Sequence, residues 1–238
     1  MLETLAEDLI SKGLTNIRIQ TSDHWHSFQQ GLRASRLGIY FAPPHFAAWA
    51  ISKHGFKPLV RLSEPISYVI ATKTAKPRIF EINDLAGRSV CSGKPLNLDY
   101  LLINRALGNR LPAATIKVVN SVEKQMRNPA TLCEAFSISN HQFEKTADAV
   151  PGEFIKLYQS TNYNNYVFVA HPDVSEKQIS KLQHYLLNLD SQALLSPMLL
   201  VFAAEAKLLR SSPDDYPSDY WRVLTPYWGG DAKSRIAD

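Results

Sequence analysis

The stretch INDLAGRSVCSGKP, residues 82–95, carries the first decision about this chain. Ile82 to Leu85 reads as a short turn, and the run starting at Ser89 and ending at Cys91 reads as a strand. A helix is expected from about Leu96 to Leu107, with Gly108 as its stop, and a strand at residues 115–119. Downstream the alternation continues with a helix at 121–127 and strands at 132–138, 154–159 and 166–170. Residues 175–188 form the clearest helix: Ser175 and Gln178 make a capping box, and Ile179, Leu182, Leu186 and Leu189 form one apolar stripe. The tail, 194–228, reads as helical in parts, broken at Pro197, Pro213, Pro217 and Pro226.

Upstream of the same stretch, YVIAT (68–72) and PLVRL (58–62) read as strands. Pro43 and Pro44 open a helix through His54, which Gly55 ends; proline is tolerated in a first turn because its missing N–H has no partner there. LGIYFA (37–42) is a continuous apolar run that suits a strand covered on both faces. A helix at 23–34, a strand at 16–20 and a first helix bearing Leu2, Leu5, Ala6, Leu9 and Ile10 complete the start. Strands alternating with helices predict an α/β protein with parallel-rich sheets flanked by helices. Two repetitions, joined near residues 63–85, predict two lobes. No internal repeat or low-complexity segment is visible.

The 238 residues are 45% hydrophobic and 20% charged, with 10 Gly, 14 Pro and 2 Cys. These values exclude disorder, a collagen-like chain and a disulfide scaffold. The net charge of +4 is spread along the chain, with no Lys/Arg run of the kind that binds nucleic acid. No apolar stretch reaches transmembrane length. The start MLETLAEDLI lacks the basic-then-apolar plan of a signal peptide, which leaves a cytosolic protein or a leader outside this sequence. Cys91 and Cys133 sit in apolar, strand-like surroundings, where a buried free thiol is favoured over a disulfide.

Nucleotide-binding glycine loops, CxxC and HExxH metal signatures and a GxSxG elbow are all missing from the sequence. His24 and His26 flank Trp25, and on a helix these two rings point apart, so no metal site is expected. No cofactor is expected either.

Written in order, these elements resemble the phosphate/phosphonate-type solute-binding proteins of ABC transporters, with the type II periplasmic-binding-protein fold. The resemblance runs over about residues 2–221. It rests on Asp23-His24 after the first strand, on LGIYFAPPHFAAWA (37–50), on YVIATK (68–73), and on INDLAGRSVCSGKP as the lead into the second lobe. CEAFSIS (133–139), IKLYQS (155–160) and YVFVAHPDVS (166–175) extend it. It implies lobe 1 from residues 1–68 plus 166–238, lobe 2 from 69–165, and hinge crossings near 63–73 and 160–166. Members of the family begin with a strand before the first helix; here Met1 falls directly at the helix, so the first strand of lobe 1 is expected to be missing from this sequence. The resemblance further implies a non-enzymatic monomer, periplasmic or extracytoplasmic. Its partners would be a small-molecule ligand and a membrane permease or sensor, with no nucleic acid.

By the same resemblance the ligand lies in the inter-lobe cleft, closure around it is read by the membrane partner, and the residues mapped there are His24, His45, Ser67, Asn97, Asp99, Ser139, His141, Tyr163 and Tyr166. They make a polar, aromatic pocket suited to a small polar or anionic solute. Phosphonate binders of the family carry Ser-Thr-Ser at the start of the helix after the loop, where hydroxyls and backbone amides grip the anion. This chain has Leu96-Asn97-Leu98-Asp99. Asp99 sets a negative charge against a dianion, a repulsion on the order of several kcal/mol, so phosphonate itself is not the expected ligand. Each histidine has a surface or packing role as its alternative, Asp99 a role in its own helix's first turn, and Tyr163 and Tyr166 a hinge-lining role. Two other functions remain open: the ligand-sensing ectodomain of a membrane sensor kinase, and an enzyme pairing His24 or His141 with Asp99 or Glu134.

Overall fold

The computed structural model describes residues 2–12, 25–36, 38–75, 79–108 and 113–228. The chain divides into two compact units, Met1–Pro65 with Asn164–Arg222, and Ile66–Tyr163 with the tail from Val223. The first unit opens with α1 (Leu2–Ser11), α2 (Trp25–Arg33), β1 (Ile39–Ala42), α3 (Pro44–His54) and β2 (Lys57–Leu62). The second holds β3 (Tyr68–Lys73), β4 (Ser89–Ser92), α4 (Leu98–Leu107), β5 (Thr115–Val118), α5 (Val122–Arg127), β6 (Ala135–Ser139), α6 (Asn140–Ala147) and β7 (Phe154–Gln159). The chain then returns to the first unit with β8 (Val167–Ala170), α7 (Glu176–Leu187), α8 (Leu189–Leu199) and β9 (Leu208–Arg210). It ends in the second with α9 (Thr225–Trp228). The tail joins the second unit because the Asn104 amide donates to the Tyr227 hydroxyl at 3.3 Å and the Tyr100 and Tyr227 rings meet edge to face. The resemblance implies that all of 166–238 lies in the first lobe, whereas the tail from Val223 groups with the second unit.

The second unit's sheet runs β5-β4-β6-β3-β7. β5, β4 and β6 are mutually parallel, while β3 is antiparallel to β6 and β7. Both faces are covered. Val69, Ala71, Cys91, Phe136 and Ile138 face one core with Val122 and Met126 of α5 and Phe143 of α6. Ile70, Val90 and Ala135 face the other core with Ile103 and Leu107 of α4. The odd-even alternation follows from the two-residue period of a strand, and burial of both faces is why YVIAT and AFSIS carry scarcely a charge.

The first unit's sheet runs β1-β8-β2-β9, and every pair in it is antiparallel. The expected parallel pairing therefore belongs to β5-β4-β6 of the second unit. Antiparallel order arises here because β8, arriving from the second unit, inserts between β1 and β2. β1 ends the described sheet order and its first residue, Ile39, is exposed, but both of its faces are packed, Tyr40 against Phe28 and Phe56 and Phe41 against Phe168 and Phe202; Leu37 and the strand expected at 16–20 lie outside the described residues.

Gly55 ends α3 in the left-handed conformation, φ 68°, with its N–H bonded to helix carbonyls, as glycine at that position allows. Ser175 caps α7, accepting from the Gln178 amide at 3.3 Å and donating to its side chain at 3.0 Å. Leu189 does not extend the α7 stripe; it begins α8 and is exposed, and Tyr185 takes the buried place beside Leu186. Asn188 separates the two helices by capping α8 through the Asp190 amide.

Cys91 and Cys133 are joined by a disulfide with Cα atoms 5.6 Å apart, which corrects the expectation of free thiols. Both are buried, as the apolar context required. Their proximity is a consequence of β4 lying beside β6, and nothing in the intervening sequence signals it. A link across 42 residues removes about 4 kcal/mol of unfolded-state entropy in the chain-entropy picture. The Cys91→Ala/Cys133→Ala double variant is expected to lose about 3–4 kcal/mol in urea unfolding. A loss under about 1 kcal/mol would show that the cross-link contributes little.

Candidate functional site

In the second unit, β4 and β6 are parallel and end at the same edge of the sheet. β3, running the other way, begins there, with Tyr68 opposite Ser139. The carboxyl edge of parallel strands is where α/β proteins present loops and helix starts to ligands. Ser67, Asn97, Asp99, Ser139 and His141 all come to this edge, from the lead into β3, the start of α4, the end of β6 and the start of α6. Tyr163 lies next to it, bridged to Ile66 and almost wholly buried.

Asp99 is the most constrained of these residues. Its side chain is buried, the residue 7% exposed. The Oδ2 atom accepts from the Gly93 amide at 2.9 Å and from the Ser92 hydroxyl at 3.1 Å. The Ser137 hydroxyl, reaching over from β6, donates to the Asp99 carbonyl at 2.6 Å and pins this turn to the sheet. Sequence reasoning missed Ser92 and Gly93. A Cβ on residue 93 would meet Asp99 Oδ2 at 2.9 Å, so glycine is what lets the loop close on the carboxylate. Leu96 holds φ 65°, a conformation that costs a non-glycine residue about 1 kcal/mol or more, so the loop is held under strain where it meets the helix. Asn97 occupies the N-cap position of α4 without making the usual side-chain cap, and its Oδ1 is buried with no hydrogen-bond partner among the described residues.

Ser139 ends β6 and caps α6, accepting from the Gln142 amide and donating to the Gln142 side chain at 2.9 Å. Gln142 was missed, although the Ser-x-x-Gln spacing is the one that marked α7. The Ser67 carbonyl accepts the Asn140 amide at 2.7 Å. His141, on the first turn of α6, is partly exposed. Glu134 stands at the opposite end of β6 from His141. There it pairs with Arg88 at 2.7 Å and accepts from the Ser89 amide, bonds that hold its carboxyl below the usual range in spite of the burial that opposes them. The acid–base couple of His141 and Glu134 is therefore not assembled.

In the first unit, His45 and Tyr166 belong to the edge where β1 and β2 end. His45, the second residue of α3, is fully buried with its ring 4.2 Å from the Phe46 ring, rather than standing open at the helix start. Tyr166 packs its ring against Phe202 at 4.1 Å and Phe41 at 5.3 Å. Asn164 and Asn165 anchor the returning chain inside the first unit: the Asn164 amide group donates to the Asp215 carbonyl at 2.7 Å and that of Asn165 to the Phe202 carbonyl at 3.0 Å. His24 lies outside the described residues. Among the described residues no group of three His, Cys, Asp or Glu is placed to hold a metal ion. No helix among them is long and apolar enough to cross a membrane.

The family model described as "ABC transporter, phosphonate, periplasmic substrate-binding protein" matches residues 1–216, and the chain belongs to that family. Among solved structures, the chain is similar to PhnD1 from Prochlorococcus marinus, in complex with methylphosphonate (11% identity, TM-score 0.71, 96% of this chain and 93% of that one). A protein from Xanthomonas citri bound to ATP shows 14% identity, TM-score 0.70, and coverage of 94% and 91%. A binding protein component of an ABC phosphonate transporter from Pseudomonas aeruginosa shows 12% identity, TM-score 0.67, and coverage of 90% and 76%. At these identities the likeness is one of fold. Among curated proteins none matches the sequence.

Burial pushes the Asp99 carboxyl up to about 6 from 3.8, against the pull of the Gly93 amide, the Ser92 hydroxyl and the first-turn amides. A raised carboxyl pKa means that the folded state binds the proton more tightly than the unfolded state. The stability it confers is full below about pH 4, is lost as pH rises through about 6, and is flat above that. Two pKa units correspond to about 3 kcal/mol. Subtracting the unfolding free energy of Asp99→Asn from that of the parent protein should therefore give a difference that falls by about 3 kcal/mol between pH 4 and 7. A pH-independent difference would mean that the carboxyl titrates normally.

Proposed function

We propose that this chain captures a small polar solute in the periplasm and delivers it to an ABC-type membrane permease, with Ser67, Asn97, Asp99, Ser139, His141, Tyr163 and Tyr166 as the residues nearest the ligand and His24 as a further contact. The observation that supports this most directly is the convergence of polar side chains from separate elements on the carboxyl edge of the second unit. Family membership supports the solute-binding role and the permease partner. The Cys91–Cys133 disulfide suits an oxidising compartment. The solute stabilises the state of the protein that binds it better, because a ligand shifts a population only through its differential affinity for two states. The protein works as a monomer and does not alter what it binds.

The test is a thermal-unfolding screen of the purified protein against a broad panel of amino acids, polyamines, nucleotides, sugars and organic anions. A cognate solute at about 100 times its Kd adds about 2.7 kcal/mol, which raises Tm by roughly 5–10 °C in a chain of this size. Silence across the whole panel would count against the solute-binding reading.

A further inference from the structure

In the second unit, α6 starts directly beyond the end of β6, and α4 starts after a short loop beyond the end of the parallel strand β4. Unbonded amides and the positive end of the helix dipole make such starts natural seats for oxyanions. Here the seats are occupied from within. In the loop before α4 the Asp99 carboxylate takes the Gly93 amide and the Ser92 hydroxyl. At α6 the Asn140 amide is given to the Ser67 carbonyl, and the Gln142 amide to the Ser139 hydroxyl. What the α4 loop keeps in reserve is an acceptor, the buried Oδ1 of Asn97. Lys94, in the same loop, is exposed, and a solvated ammonium adds little attraction.

From this arrangement we infer that Asp99 is a specificity-determining residue: its carboxylate stands in for an oxyanion in the Ser92–Asp99 loop, so the second unit rejects phosphate, phosphonate and sulfonate groups and meets its solute through acceptors. The inference rests on the solute-binding reading and narrows the class of solute. Asp99 acts by holding donors that a ligand would otherwise take, and being buried it does so without exposing its charge to water. Gly93 is part of the same device, because only a residue without Cβ leaves room for the carboxylate at its amide.

The experiment is calorimetric titration of methylphosphonate and of inorganic phosphate into the parent protein, Asp99→Asn and Asp99→Ser, with a melting curve of each variant. Asp99→Asn keeps the side chain's shape and an acceptor for Gly93, so it folds even where the smaller serine does not. The parent is expected to show no saturable binding of either anion below about 1 mM. Asp99→Asn, which removes the negative charge that repels an oxyanion, is expected to gain at least about tenfold in affinity, and Asp99→Ser more, because it also releases the Gly93 amide. Micromolar binding of methylphosphonate by the parent would overturn the inference, and so would a folded Asp99→Asn with no gain for either anion. Neither result touches the solute-binding reading, which stands or falls on the solute screen of the parent protein.

Discussion

Burial of both faces of the second unit's sheet is the constraint on which the rest depends. β3 and β6 are sandwiched between α4 on one side and α5 with α6 on the other, and each strand splits its residues between two cores. Covering a parallel sheet on both faces requires crossover helices, and each crossover must start at the carboxyl edge. The polar loops collect at that edge for a topological reason, before any question of ligand arises. Ser92, Gly93, Asn97, Asp99 and Ser139 come together although they are separated by up to 47 positions in the sequence.

Within that edge, Asp99 shows how a family scaffold is altered by one side chain. The amides of a helix start are a fixed resource of the backbone. Amides at a strand-end loop attract an anion in the same way unless the chain supplies one, and here the Asp99 carboxylate takes the Gly93 amide. Withdrawing that carboxylate from water is unfavourable, which is why its pKa is raised although it accepts hydrogen bonds from Gly93 and Ser92. The strained Leu96 and the glycine at 93 are the local accommodations that hold it in place.

The first unit is organised differently. Its sheet is antiparallel, and its aromatic residues Phe41, Tyr166 and Phe202 pack on one another, Phe41 meeting Phe202 edge to face. The asparagines of the returning segment act as structural anchors: Asn165 is fully buried and bonds the Phe202 carbonyl, while its own carbonyl receives the Tyr216 hydroxyl at 2.6 Å. A side chain used in this way fixes the course of the chain.

What the sequence determined by itself was local or periodic. Pro44 and Gly55 bounded α3, Ser175 and Gln178 marked the start of α7, and the alternation of strands with helices specified the α/β class. Each of these signals acts within a turn or two of the residues that carry it. The resemblance in Ile82–Pro95 pointed to the family that the match over residues 1–216 then showed. Only the tertiary structure decided that Cys91 and Cys133 are bonded, that β8 inserts between β1 and β2, that the tail from Val223 packs on the second unit, and that Asp99 folds back onto Gly93. Each of these is a choice among partners far apart in sequence or turned back through a strained loop. Such choices are settled by which burial and hydrogen bonding the whole chain can satisfy at once, and no single window of sequence records them.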